Sequence, residues 1–401
     1  MSQTRPRPPT APRSLEAELH ASAREYPVVT ILGPRQSGKS TLARTAFPGH
    51  PWVSLEDPDV RLAAETDPRG FLGQWPDGVI LDEVQRLPQL LSYLQGMVDR
   101  APAPGKYLLT GSHQPALQEA IAQSLAGRTA VLTLWPFSCT ELLHYGPLPS
   151  ASELLFKGFY PRVHQAGLSA HRFYANYLQT YVERDVRALI RVRDLGVFQK
   201  FLVLLAGRTG QVINHAALSN DVGVSATTIR DWVSVLKASF LVIELQPYFQ
   251  NIQKRVIKSS KLYFSDVGLA TYLLGITQPA QLDRDPLRGA LYENMVIAEA
   301  VKRFANAGRV PALYFYRDNH GNEVDLLVRT AAGLHPVEIK SSATFTTDFL
   351  KGLRHWQGLG LVDALPGTVF YNGERAHQVL GVRIENPLRL RGGFADYFPL
   401  N

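Results

Sequence analysis

Three groups of residues in this 401-residue sequence have types and spacings that can do chemistry. The first is Gly33-x-x-x-x-Gly38-Lys39-Ser40, two glycines framing a short loop that ends in a lysine and a hydroxyl. Such a loop turns backbone N–H groups inward around phosphate oxygens, and the helix it opens adds positive potential. Gly33, Pro34, Arg35, Gln36, Ser37, Gly38, Lys39, Ser40 and Thr41 are expected to form the cradle. Within it Lys39 reaches the β- and γ-phosphates and Ser40 coordinates Mg²⁺. The second group is Asp82-Glu83, where the apolar run Gly78 to Leu81 ends in two carboxylates. Asp82 suits the metal shell, and Glu83 suits orienting and polarising an attacking water. The third is Asp325 followed by Glu338-x-Lys340. Two carboxylates bind Mg²⁺ there, and the lysine stabilises or helps activate water. ATP or GTP, with Mg²⁺, is the ligand set these residues call for.

Each group needs elements to hold it. Val28 to Leu32 reads as a fully buried strand before the glycine loop, and Thr41 to Arg44 opens a helix after it. Residues 14–26 read as a short amphipathic helix. Trp52 to Leu55, Gly78 to Leu81 and Lys106 to Ser112 read as strands, with a helix over Leu87 to Val98. Before a further strand at Ala130 to Leu134 stands Arg128, a candidate arginine finger for its own or a neighbouring subunit. Strand alternation puts Glu338 and Lys340 on one side, to meet Asp325 across a hairpin, and Glu293 on the preceding helix is a further candidate ligand.

Between these lies a helical stretch, 170–206, with Tyr174, Tyr177, Leu178, Tyr181 and Val182 at helical spacing. A helix from Ile213, a break at Gly223 and a second helix capped by Ser225 make a helix-turn-helix pattern. Its second helix presents Thr227, Thr228, Arg230 and Lys237. Phe240 to Leu245 and Lys261 to Phe264 read as strands of a β-wing, with Lys254, Arg255, Lys258 and Lys261 between or on them. That charge suits contact with duplex phosphates. The other use of such a unit is as a lid or subunit contact.

Composition bounds the rest. The length implies two or three domains. A net charge of +7 permits nucleic-acid contact, and 45% apolar residues suit a globular chain. The lone Cys139 rules out an intramolecular disulfide and suits a reducing compartment. No stretch approaches the roughly 20 apolar residues that span a bilayer. Met1 to Pro12 is rich in proline and arginine without an apolar core, so a cytoplasmic protein is expected.

Gly33 to Ser40, Leu81-Asp82-Glu83-Val84-Gln85-Arg86, Leu109-Thr110-Gly111-Ser112 and Ser124-Leu125-Ala126-Gly127-Arg128 together resemble one branch of the AAA+ superfamily. That branch is a prokaryotic ATPase set with a dedicated C-terminal domain, and the match runs from about residue 26 to about 375. The resemblance implies ATP hydrolysis in a homo-oligomer, a hexameric ring among the forms, with Ser112 (or Thr110) sensing the γ-phosphate. Asp325, Glu338 and Lys340 resemble the PD-(D/E)xK arrangement of restriction-endonuclease-like folds. The expected α/β architecture is therefore a flexible basic tail (1–13), an AAA+ P-loop core (14–150), a helical linker and winged helix (151–275), and a restriction-endonuclease-like domain (276–401). The expected function is an ATP-driven motor on duplex or branched DNA. An ATP-gated Mg²⁺-dependent nuclease and a signalling or scaffold ATPase acting on protein are the alternatives.

Overall fold

The computed structural model describes residues 11–112, 115–186, 194–248 and 259–390, with 183–186 described by backbone alone. Two sheets organise them. The first is entirely parallel, in the order β2-β3-β4-β1-β5, from strands β1 (Val28–Gly33), β2 (Trp52–Ser54), β3 (Val79–Asp82), β4 (Tyr107–Ser112) and β5 (Thr129–Thr133). β1 lies between β4 and β5, and all six of its residues are buried. This is why it reads as an unbroken apolar run rather than an alternating one. Helices Glu16–Glu25, Lys39–Ala46 and Leu90–Arg100 cover the sheet, with Leu19, Leu42, Leu91 and Leu94 turned into its core.

The second sheet has eight strands: β6 (Val242–Pro247), β7 (Lys261–Phe264), β8 (Leu313–Arg317), β9 (Glu323–Thr330), β10 (Gly333–Lys340), β11 (Thr368–Tyr371), β12 (His377–Val379) and β13 (Val382–Glu385), in the order β12-β13-β11-β10-β9-β8-β6-β7. The helix Arg288–Ala305 packs across it and buries Leu291, Met295, Val296 and Ile297.

This order corrects one expectation. β6 and β7 do form an antiparallel hairpin after the helix-turn-helix, but β6 also pairs in parallel with β8 through Gln246↔Tyr314 and Pro247↔Phe315. A free wing would leave that edge to solvent; here the strand is shared. The second sheet therefore crosses residue 275, and one apolar core runs from Trp135 to Phe370 through both parts. Residues 1–10 of the expected tail lie outside the described residues; of its last three, Ala11 and Arg13 are buried.

His335 on β10 carries a stability prediction. Its ring nitrogen lies 3.0 Å from Thr368 Oγ1, and burial, with Arg383 nearby, lowers its pKa from 6.5 to about 4. The folded ring stays neutral while the unfolded ring protonates near 6.5, so stability present above that value is lost as pH falls toward 4. The shift corresponds to roughly 3 kcal/mol. His335→Gln keeps a partner for Thr368 and cannot titrate. In urea unfolding its stability relative to wild type should rise between pH 7.5 and 4.5, and a pH-independent difference would contradict this account.

Candidate functional site

The loop between β1 and the helix Lys39–Ala46 needs glycine at both framing positions. Gly33 has φ +149°, and a Cβ there would fall 2.2 Å from the Leu134 carbonyl oxygen. Gly38 has φ +97°, and Gln36 is also left-handed. Lys39 is buried, with Nζ donating to the carbonyls of Gly33 (3.1 Å) and Pro34 (2.9 Å). Burial lowers its pKa to about 8 against the opposing pull of Glu83 and Asp82. The Ser37 hydroxyl is buried without a hydrogen-bond partner among the described residues. A bound phosphate oxygen would satisfy both groups.

The parallel sheet brings the second carboxylate group to this loop. Ser40 Oγ donates to Asp82 Oδ1 at 2.8 Å, and the Thr110 hydroxyl donates to the same oxygen. Glu83 follows β3 with φ +58°, a left-handed backbone unusual for a residue with a side chain, and accepts a bond from the Gln85 amide. Ser112 ends β4 level with Gly33, and its hydroxyl is buried with no hydrogen-bond partner among the described residues. Gln85 was not singled out by sequence. Its signal was the position two residues after the Asp-Glu pair, within reach of Glu83. Beside the loop lies a cavity of about 340 Å³, walled by Arg13, Gly38, Thr41, Leu42, Phe137 and Gln165 among others. The hydroxyl of Ser40 and carboxylate of Asp82, oxygen donors side by side, suit Mg²⁺.

Arg128 does not point at this site. Its Nε and Nη2 lie 2.5 and 2.9 Å from the Asp99 carboxylate, and its Nη1 lies 3.1 Å from the Ala126 carbonyl. A finger role requires that ion pair to open. Arg35 stands over the Tyr181 ring at 5.4 Å, which joins the loop to the π-helix Leu178–Val186.

The helix-turn-helix is formed by His215–Val222 and Ala226–Ala238, with Gly223 left-handed between them. Thr227 and Arg230 are exposed, with Arg230 Nη2 3.1 Å from Thr227 Oγ1. Thr228 is turned to the cap, 2.8 Å from Ser225 Oγ. Lys237 is an ion-pair partner of Glu244 on β6, not a free cation. Lys254, Arg255 and Lys258 lie outside the described residues. Lys261 corrects the wing reading: it is 2% exposed and bonds Glu293 (3.0 Å) and Glu323 (2.5 Å).

The C-terminal group does converge. Lys340 Nζ lies 2.6 Å from Glu338 and 3.3 Å from Asp325, whose Oδ2 also accepts the Ile339 N–H at 2.8 Å. Glu293 accepts from Tyr263 at 2.5 Å and from Lys261. Burial, then the Asp325 charge, raises Glu338 to about 8, while its Oε2 is buried with no hydrogen-bond partner among the described residues. Among the described residues no three His, Cys, Asp or Glu side chains are arranged to hold a metal ion. Lys340 pairs with Asp325 and Glu338, and Lys261 pairs with Glu293.

Residues 25–143 match a family model described as AAA domain. Residues 149–280 and 288–388 match two models described as domains of unknown function, DUF8612 and DUF4143. An uncharacterized protein of Mycobacterium tuberculosis (strain ATCC 25618 / H37Rv) is 30% identical over 336 residues, covering 83% of this chain and 74% of that protein. An uncharacterized protein of Haemophilus influenzae is 23% identical over 268 residues, 62% of each. Among solved structures, a Walker-type ATPase of Pyrococcus abyssi is similar over 65% of this chain and 94% of its own, at 15% identity and a TM-score of 0.42. No helix among the described residues is long and apolar enough to cross a membrane.

Proposed function

This chain carries an AAA domain and belongs to the same family as its mycobacterial relative, and on that premise we propose that it hydrolyses ATP to do work on DNA as a homo-oligomer. The observation that carries the ATPase reading is the hydrogen-bonded set Ser40–Asp82–Thr110 directly behind a loop whose buried Lys39 bonds the Gly33 and Pro34 carbonyls.

The chemistry follows from these residues. Loop N–H groups bind the phosphates, and Lys39 exchanges two carbonyls for phosphate oxygens. Ser40 and Asp82 would hold Mg²⁺, which neutralises charge developing on the phosphate oxygens. Glu83, released from Gln85, accepts the proton of the attacking water. The Ser112 hydroxyl, beside Gly33 and unpartnered among the described residues, is a donor for the γ-phosphate. The cavity of about 340 Å³ beside Gly38 and Thr41 seats the base and sugar.

Support for DNA as the substrate is the exposed pair Thr227 and Arg230 on a second helix, together with the net charge of +7. Duplex or branched DNA is the substrate class, and a ring is the assembly. ATP hydrolysis at moderate salt, measured without DNA and with linear duplex, single strand or a four-way junction, tests this reading. One DNA form raising the rate several-fold is the expected result. Equal rates in all four overturn DNA as the substrate and turn the search to a protein partner.

A second reading, an ATP-gated nuclease, has one observation in its favour: Asp325, Glu338 and Lys340 meet within hydrogen-bond reach. Mg²⁺-dependent cleavage lost in Lys340→Ala, with ATPase unchanged, would select it.

A further inference from the structure

We propose that Arg13 is a positioning residue for the nucleotide loop: its guanidinium holds the Ser37 carbonyl out of the phosphate cradle, so that the loop N–H groups stay turned toward the anion. The inference rests on the reading of the loop as an ATP site and names what pre-forms it.

A cradle that points its N–H groups inward must send its carbonyls outward, and a buried carbonyl needs a donor. Ser37 is buried, and Arg13 Nη1 donates to its carbonyl at 2.6 Å. The same guanidinium is pinned in two other directions. Nη2 donates to the Trp135 carbonyl at 2.7 Å, in the segment after β5, and Nε donates to Glu141 Oε1 at 3.0 Å. Glu141 is held in turn by the backbone N–H groups of Ser14 (2.7 Å) and Ser138 (2.8 Å). The Phe137 ring lies 5.0 Å from Arg13 Cζ.

With all three donor nitrogens fixed, the planar fork cannot rotate away, which a lysine in its place could not ensure. The fork ties together three stretches that are distant in sequence: the segment before the first helix, the loop, and the strand exit that follows β5. Arg13 also lines the cavity beside Gly38, so one side chain orders the phosphate cradle and the wall of the base pocket. Substituting it lets the Ser37 peptide turn and present a carbonyl to the phosphates, which repels them.

The test uses the full chain, with equilibrium binding of a fluorescent ATP analogue and steady-state ATP turnover. Arg13→Ala should weaken binding and raise KM by about 10- to 100-fold, the range for losing a charged donor. kcat at saturation should fall much less, because the chemistry lies at Asp82 and Glu83. Methylguanidinium at millimolar levels should restore part of the affinity in Arg13→Ala, which a general loss of folding would not allow. Arg13→Lys should fall between the two and serves as the decisive variant where the alanine form does not fold. Affinity equal to wild type in whichever variant folds, or a loss confined to kcat, overturns the proposal. Lys39→Ala separates the two claims. If it binds nucleotide as wild type does, the reading of the loop fails; if it does not bind while Arg13 variants bind normally, only the role of Arg13 fails.

Discussion

Glu83→Gln should stop turnover while leaving ATP bound. The amide keeps the shape of the carboxylate and the bond from Gln85, so the loop, Lys39 and Asp82 are undisturbed. It cannot accept the proton of the attacking water, and the loss of a positioned general base costs roughly 10²- to 10⁴-fold in rate. Nucleotide binding, carried by the loop N–H groups and Lys39, should stay within a few-fold of wild type. Rapid-quench turnover and analogue binding on one preparation check both halves. A Glu83→Gln protein that hydrolyses ATP within about threefold of wild type would remove Glu83 from the chemistry; such a change is under 1 kcal/mol in barrier.

Lys261→Met should be among the most destabilising single changes in the second sheet. Lys261 is 2% exposed between Glu293 and Glu323. Burial by itself would lower its pKa, yet Tyr263, Glu293, Glu323 and Asp325 together hold it well above the ordinary lysine value. Removing that charge leaves Glu293 without its counter-ion, while Glu323 keeps Arg317 at 3.2 Å; stranding a charge in this way costs about 3–5 kcal/mol in comparable buried pairs. The mechanism makes a second, sharper claim. Adding Glu293→Gln to Lys261→Met removes one stranded charge and should recover part of the loss, so the two effects are not additive. Urea unfolding of the wild type, both single variants and the double variant measures the coupling. Strict additivity would mean that the pair does not interact energetically.

What sequence made legible was local. The nucleotide loop is a contiguous string whose glycines answer to backbone angles, and a strand before it and helix after it follow from adjacent apolar spacing. Asp82 and Glu83 were found because a buried strand ending in two carboxylates is itself a local pattern. Helix and strand positions in the C-terminal part followed the same logic, and alternation did place Lys340 against Glu338.

Cations were not legible. Arg13, Lys261 and Arg128 are the same kind of letter in sequence, but only the fold separates a loop brace, a buried counter-ion and an exposed pair with Asp99. A charge reading gave Lys261 to a DNA-facing wing because its partners, Glu293 and Glu323, are distant along the chain. The expected hairpin is present, but its second neighbour was not legible: a strand's pattern shows that it pairs, not which strand takes its other edge. The glycine loop and its acidic partner were settled by neighbouring residues, because backbone geometry and hydrogen-bonding demands act over short stretches. The tertiary structure alone decided which charges are paired, where the second sheet ends, and that an arginine far upstream holds the loop open. Those outcomes depend on desolvation and on contacts between residues tens to more than a hundred positions apart.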